Sequence, residues 1–125
     1  GNQKIGNKED IDKFWLRGEL RITPEQQIQF LRRFYNNDLS FSKRSLSIVK
    51  DIMILEKTPD YTIRGKTGWV GFDDGVKPQI GWLVGYLEKG KNVYFFATNI
   101  EIRNEKDAAA RMALTRRCLK DLRLL

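Results

Sequence analysis

From position 23 onward, apolar residues recur first at helical spacing, then in alternation, then at helical spacing again. Ile28, Leu31 and Phe34 share one face of a helix begun by Thr23-Pro24-Glu25-Gln26. Threonine caps it, proline fits the first helical position, and Gln26 stands where a capping box closes. This helix ends near Asn36-Asn37. Ser42 caps a second, along which Leu46, Val49 and Met53 recur, with Ile48, Ile52 and Leu55 widening the apolar face until Thr58-Pro59 stops it. The pair of helices occupies 23–55. Tyr61 to Val70, Gln79 to Glu88 and Asn92 to Ile102 are rich in β-branched and aromatic residues and predict strands. Lys89-Gly90-Lys91-Asn92 joins the latter two tightly, giving a three-stranded antiparallel meander over 61–102. A last helix over 107–122, capped by Asp107, follows with Ala108-Ala109-Ala110 and turns Leu114, Leu119 and Leu122 toward the sheet.

Residues 1–20 have no clean period and carry Gly1, Asn2, Gly6, Asn7 and Gly18, so they read as a long ordered loop with a short helical piece near Ile11 to Leu16. Long loops in compact domains usually serve function. The order of helices, strands and helix predicts an α+β fold, helices packed on an antiparallel sheet, in a single domain without repeat or linker.

Composition narrows the class. With 125 residues, 41% hydrophobic and 31% charged, the chain is that of a soluble globular domain. No apolar run approaches the roughly 18 residues that cross a bilayer, so no membrane partner is expected within this chain. It begins with Gly1 and shows no charged-then-apolar leader. Cys118 is the only cysteine, which excludes an intrachain disulfide, and it reads as a small buried residue of the last helix. Without any histidine, a zinc site of ordinary ligand type drops out and no metal is expected. The net charge of +7 raises nucleic acid as a partner. The densest basic stretch, Arg111 to Arg123, is broken by Asp121 and lacks interleaved aromatics, so it reads as the solvated face of a helix and nucleic acid is not expected.

Candidate chemistry centres on Lys66-Thr67-Gly68, set between Gly65 and Trp69 in the first strand. Alone, the tripeptide fits an edge strand with a polar outer face. It equally fits an anion-reading strand: an ammonium, a hydroxyl, and a glycine that lets a ligand approach the backbone. Two Ser-x-x-Lys matches, Ser40-Phe41-Ser42-Lys43 and Ser47-Ile48-Val49-Lys50, would put a nucleophile and a base one helical turn apart. So loose a pattern is common in a lysine-rich chain.

The blocks Gly1-Asn2-Gln3, Asp12-Lys13-Phe14-Trp15-Leu16, Gly65-Lys66-Thr67-Gly68-Trp69, Gly81-Trp82-Leu83-Val84-Gly85-Tyr86-Leu87-Glu88 and Val93-Tyr94-Phe95-Phe96-Ala97 occur in the order and spacing of class D serine β-lactamases. The antibiotic-sensing domains of penicillin receptors are similar. The resemblance runs from Gly1 to the last helix and implies the C-terminal part of the penicillin-recognising serine β-lactamase and transpeptidase fold, with 1–20 as an active-site loop. Gly1-Asn2 resembles the end of the family's Tyr-Gly-Asn motif. The resemblance therefore implies that the Ser-x-x-Lys nucleophile, its lysine, carboxylated by CO2 to act as base, and a second serine motif lie upstream of residue 1. Since the family's Ser-x-x-Lys precedes Tyr-Gly-Asn, Ser47 and Ser40 fall on the wrong side of it and read as surface positions. No other cofactor is expected.

The same resemblance assigns roles. Lys66 would lend positive potential and attract a penicillin carboxylate, Thr67 would donate its hydroxyl to it, Gly68 would admit the ligand, and the backbone N–H of Trp69 would be one oxyanion donor. Arg111 matches the family's carboxylate-binding arginine, against the alternative of a solvated helix residue. Trp15 matches the tryptophan that steadies the lysine carbamate, against simple packing beside Phe14 and Leu16. Trp82, Tyr86, Tyr94, Phe95 and Phe96 read as sheet and core residues. The implied activity is β-lactam hydrolysis on small-molecule β-lactams, with export to the periplasm or secretion. The alternatives are a sensor domain that is acylated without turning over, or an inactive truncated fragment. The chain as given is expected to be inactive alone and to form a homodimer or domain swap through exposed apolar surface.

Overall fold

The computed structural model describes residues 20–71, 75 and 77–125. Trp15 and nearly all of the loop expected over 1–20 lie outside the described residues. Helix α1 (Pro24–Tyr35) starts as its sequence dictates: the Thr23 hydroxyl accepts the N–H of Gln26 at 3.2 Å, and the Gln26 side chain accepts the N–H of Thr23 at 3.0 Å. This closed capping box satisfies two orphan donors of the first turn. Leu31 and Phe34 are buried, while Ile28 is half-buried. Helix α2 (Lys43–Ile52) begins at Ser42, whose hydroxyl accepts the N–H of Ser45 at 3.0 Å. It buries Leu46, but Ile48, Val49 and Ile52 are exposed.

The helix expected to reach Leu55 stops at Ile52, and Met53 turns the chain directly into a strand, β1 (Ile54–Lys57). A short apolar run fits helix or strand equally by periodicity, and tertiary pairing decided it. β1 lies antiparallel beside β2 (Tyr61–Gly68), pairing Ile54 with Arg64, Glu56 with Ile63 and Lys57 with Thr62 across a bulge. The Met53 carbonyl accepts the Gly65 N–H at 2.8 Å. Thr58 folds the turn between them, its hydroxyl accepting the N–H groups of Asp60 and Tyr61 at 3.2 and 3.1 Å.

β3 (Ile80–Lys89) and β4 (Asn92–Glu101) complete a four-stranded antiparallel sheet in the order β1-β2-β3-β4. The expected meander is present, with its first strand ending at Gly68 rather than Val70. Period-two alternation gives each face its own core. On one face Tyr86, Val84, Val93 and Phe95 pack with Leu31, Phe34, Leu46 and Met53 of the α1 and α2 layer. There the Tyr35 ring meets Tyr86 edge-on at 5.2 Å and Phe95 at 5.9 Å. On the other, Ile63, Leu87, Tyr61, Tyr94 and Phe96 pack with Leu119. Each fully buried aliphatic of this kind contributes about 1.5–3 kcal/mol. Gly85 faces Gly65 across β2 and β3, and a Cβ on it would stand 2.0 Å from the Arg64 carbonyl oxygen and 2.9 Å from the Phe96 ring. Only glycine permits that closeness.

Helix α3 (Glu105–Asp121) covers the second face. Its cap is Asn104, whose side chain accepts the N–H groups of Lys106 and Asp107 at 2.9 and 3.2 Å. Asp107, expected as the cap, is the third helical residue and reaches back to accept the N–H of Arg103 at 3.1 Å. Hydrogen bonds from Arg103 hold the Asp107 carboxyl below the usual carboxylate range. The inward stripe is also not the expected one: Leu119 is buried, but Leu114 and Leu122 are 42% and 68% exposed. Arg111 and Thr115 take the inner positions, because each finds a partner on the sheet. Thr115 and Thr98 share a hydrogen bond of 2.7 Å between hydroxyls.

Candidate active site

Lys66-Thr67-Gly68 closes β2, paired with Val84, Leu83 and Trp82 of β3. Strand alternation sends successive side chains to opposite faces. Lys66, opposite Val84, lies on the α1 and α2 face; Thr67, opposite Leu83, lies on the α3 face with Arg111. All three residues of the motif are exposed, so a ligand can reach them. The Lys66 ammonium donates to the Thr67 carbonyl at 2.7 Å and curls along its own strand.

Arg111 joins α3 to this strand end. Its Nε donates to the Ala108 carbonyl at 2.7 Å, and its Nη1 donates to the carbonyls of Gly68 at 3.0 Å and Trp82 at 3.2 Å. Gly68 and Trp82 are register partners, so one nitrogen bridges both strands. Nη2 makes no hydrogen bond to a described residue, which leaves part of the fork for a ligand. Sequence spacing alone favours a solvated residue at 111; the structure instead brings it to the Lys-Thr-Gly strand. Gly81 makes room for this: a Cβ there would stand 2.6 Å from Ile102 Cδ1 and 3.1 Å from Arg111 Cδ.

Trp69 follows the last register pair and is half-buried, and its indole N–H donates to the Gln79 side-chain oxygen at 2.8 Å. Gln79 is 7% exposed, and its backbone carbonyl accepts the N–H of Ile102 at 2.7 Å. It thus ties the chain after β2 to the end of β4. In the sequence Gln79 marks only the start of a strand, and the signal for its part is an amide at the head of an otherwise apolar strand, ten residues after a tryptophan.

The rival Ser-x-x-Lys on α2 is not assembled as a nucleophile and base. Ser47 is exposed, whereas the Lys50 ammonium donates to the Tyr35 carbonyl at 2.7 Å and Asn37 Oδ1 at 2.8 Å. It lies 5.6 and 5.4 Å from the ring centroids of Phe34 and Tyr35. Lys50 therefore caps the C-terminal end of α1, where the helix dipole favours a cation. Burial lowers its pKa, opposed by Glu88. Ser40 is exposed, and Lys43 opens α2. The expected burial of Cys118 is also corrected: it is exposed in an open groove of about 600 Å³ bounded by Ile28, Arg32, Phe95 and Leu122, because Thr115 and Leu119 take the buried positions of α3. None of the described candidate site residues lines that groove. Trp15 lies outside the described residues.

The family model described as penicillin binding protein transpeptidase domain matches residues 1–120. Among curated proteins, the chain is 44% identical over 115 residues to β-lactamase OXA-5 of Pseudomonas aeruginosa, covering 92% of this chain and 42% of that protein. It is 41% identical over 125 residues to β-lactamase OXA-48 of Klebsiella pneumoniae, covering 100% of this chain and 45% of that protein. Among solved structures, the class D β-lactamase YbXI from Nostoc superposes with a TM-score of 0.89 at 61% identity, over 100% of this chain and 51% of that one. FUS-1 (OXA-85), a class D β-lactamase from Fusobacterium nucleatum subsp. polymorphum, gives 0.87 at 38% identity, over 100% and 50%. The chain thus spans about half the length of these relatives, 42–51%.

Proposed function

The chain belongs to the penicillin binding protein transpeptidase family, with class D β-lactamases as its relatives, and from this we propose that it is the substrate-reading part of an enzyme that hydrolyses β-lactams. The observation that carries the proposal is the Arg111 fork at the end of the Lys-Thr-Gly strand, 3.0 Å from the Gly68 carbonyl. In the proposed reaction a serine hydroxyl attacks the lactam carbonyl carbon, the C–N bond breaks, and the ring nitrogen takes up a proton. Water then hydrolyses the resulting ester. The serine and its carboxylated lysine belong to sequence outside these 125 residues, a reading supported by the share of the relatives that the chain spans. Trp15 is the proposed neighbour of that carbamate.

Within the chain, the Trp69 N–H takes the developing oxyanion, and losing one such donor typically costs about a hundredfold to a thousandfold in rate. Thr67 and Arg111, on one face, hold the substrate carboxylate, while Lys66 supplies positive potential from the other. Gly68 admits the ligand to the backbone. Export to the periplasm or outside the cell accompanies this activity. By itself the 125-residue chain should be inactive and self-associate, as the exposure of Phe41, Ile52 and Leu122 supports.

The test is made on the protein as its gene encodes it. It should turn over a chromogenic cephalosporin and show a transient penicilloyl adduct by mass spectrometry, retained in Ser47→Ala. The isolated chain should do neither. A stable adduct without turnover would make it a sensor instead, and an adduct on Ser47 would move the active site to α2.

A further inference from the structure

Arg111 and the Trp69 N–H are joined through a single peptide unit. The carbonyl oxygen that Arg111 holds at 3.0 Å is that of Gly68, and the N–H of the same peptide is that of Trp69. We infer that Arg111 is a positioning residue for the oxyanion donor: by gripping the Gly68 carbonyl it fixes the plane of the Gly68–Trp69 peptide, and so the direction in which the Trp69 N–H points. This rests on the β-lactam reading above and deepens it.

A peptide is planar, and in the trans form its C=O and N–H point in opposite directions. Holding the oxygen therefore aims the hydrogen. The peptide needs holding, because Gly68 is the last residue of β2 and its missing Cβ leaves the dihedral that turns this plane unusually free. Arg111 is suited to restrain it because it is itself restrained. Its Nε is fixed on Ala108 at 2.7 Å, its Nη1 also holds Trp82 at 3.2 Å, and its stem lies in the notch that Gly81 leaves. On the other side of the peptide, the Trp69 indole is anchored on Gln79.

There is an electrostatic part as well. A cation on the carbonyl oxygen draws electron density through the amide and makes its N–H a stronger donor, as in any polarised hydrogen-bond chain. The guanidinium would then serve the reaction twice. Nη2 reads the substrate carboxylate, and Nη1 acts through the backbone on the group that meets the developing oxyanion. A carboxylate-free substrate uses only the second.

The decisive comparison is a chromogenic cephalosporin against its neutral methyl ester, with the gene-encoded protein and its Arg111→Ala, Arg111→Lys and Gly81→Ala variants. Arg111→Ala should lower kcat on the ester by about tenfold to a hundredfold, the scale of a misplaced or lost donor. The acyl-enzyme carbonyl band should shift to higher frequency in the infrared, as the ester leaves a well-aimed donor. Arg111→Lys keeps the charge but cannot reach Ala108, Gly68 and Trp82 together, so it should behave like Arg111→Ala on the ester. Should the alanine variant not fold, Arg111→Lys and Gly81→Ala carry the test, the latter crowding Ile102 first and shifting the Arg111 stem by a few tenths of an ångström. Ester kcat and carbonyl frequency unchanged in the folded variants, with only KM for the free acid raised, would confine Arg111 to carboxylate binding and overturn the inference while leaving the proposed function standing. Failure of the unaltered protein to be acylated by either compound would bring down both.

Discussion

The indole N–H of Trp69 and the side-chain oxygen of Gln79 meet at 2.8 Å, with Gln79 almost wholly buried. The two residues flank the connection from β2 to β3, so this bond draws its ends together beside the candidate oxyanion donor.

Replacing Gln79 with leucine keeps most of the volume and removes the bond. Net hydrogen bonds contribute about 0.5–1.5 kcal/mol, so Gln79→Leu should lose roughly that much stability in urea unfolding. In the gene-encoded protein, under the proposed activity, kcat on penicillins should fall several-fold while KM moves less. Unchanged kcat would make the Trp69–Gln79 bond a structural tie alone.

Tyr86 sits in the α1 and α2 core with its hydroxyl buried and without a hydrogen-bond partner among the described residues. Burial pushes its phenol from 10.0 up to about 12. The unfolded chain gives up this proton near pH 10 and the folded protein only near 12. Stability is therefore complete below pH 10 and lost as pH rises to 12, by about 3 kcal/mol. Tyr86→Phe should abolish that alkaline loss and be about 1 kcal/mol more stable at pH 7, since the unmade hydrogen bond disappears. Denaturant midpoints at pH 7 and 11 decide it; an equal alkaline loss in both proteins would move the cause to another group.

Arg64 Nε donates to Glu88 Oε2 at 2.9 Å across β2 and β3, while its Nη1 bonds the Lys50 carbonyl and lies 3.6 Å from Asp51. One guanidinium thus clamps α2 to the sheet. Glu88→Gln leaves a mostly buried cation with weaker compensation and should cost about 1.5–3 kcal/mol, the worth of a hydrogen bond to a charged group. A double-mutant cycle with Arg64→Met measures the coupling; a value near zero would reduce the pair to surface screening.

Gly85→Ala places a methyl 2.0 Å from the Arg64 carbonyl and 2.7 Å from Gly65 Cα. Backbone cannot yield as a side-chain tip does, so β2 must move off β3. The expected loss is at least about 3 kcal/mol, the upper end for overpacking, read as a drop in thermal midpoint or as failure to fold. Gly90→Ala, in open space but at φ +59°, should lose less.

The capping box of Thr23 and Gln26, the Ser42 cap and the meander were legible in the chain because they depend on neighbours in sequence. β1 was not, because the Ile52 to Leu55 run became strand only through its pairing with β2. The inner face of α3 was misread for a related reason. A hydrophobic pattern assigns Arg111 and Thr115 to solvent, and only the sheet reveals the carbonyls of Gly68 and Trp82 and the Thr98 hydroxyl that receive them. Lys66, Thr67 and Trp69 were found as a motif. Gln79 had no motif, and its part emerged from a contact ten residues away.

β3 lies between β2 and β4 with Leu83, Tyr86 and Leu87 wholly excluded from solvent. Its amides donate alternately to β2 and to β4, so each exchanges when the one ladder that holds it parts, and with the strand buried on both faces such parting is close to complete unfolding. In native-state exchange, β3 should be the slowest segment and should set the global limit, while β1, laddered on one side, opens earlier. The Lys-Thr-Gly end of β2 is built against that slow strand, so a ligand there docks on the part of the molecule least given to local breathing.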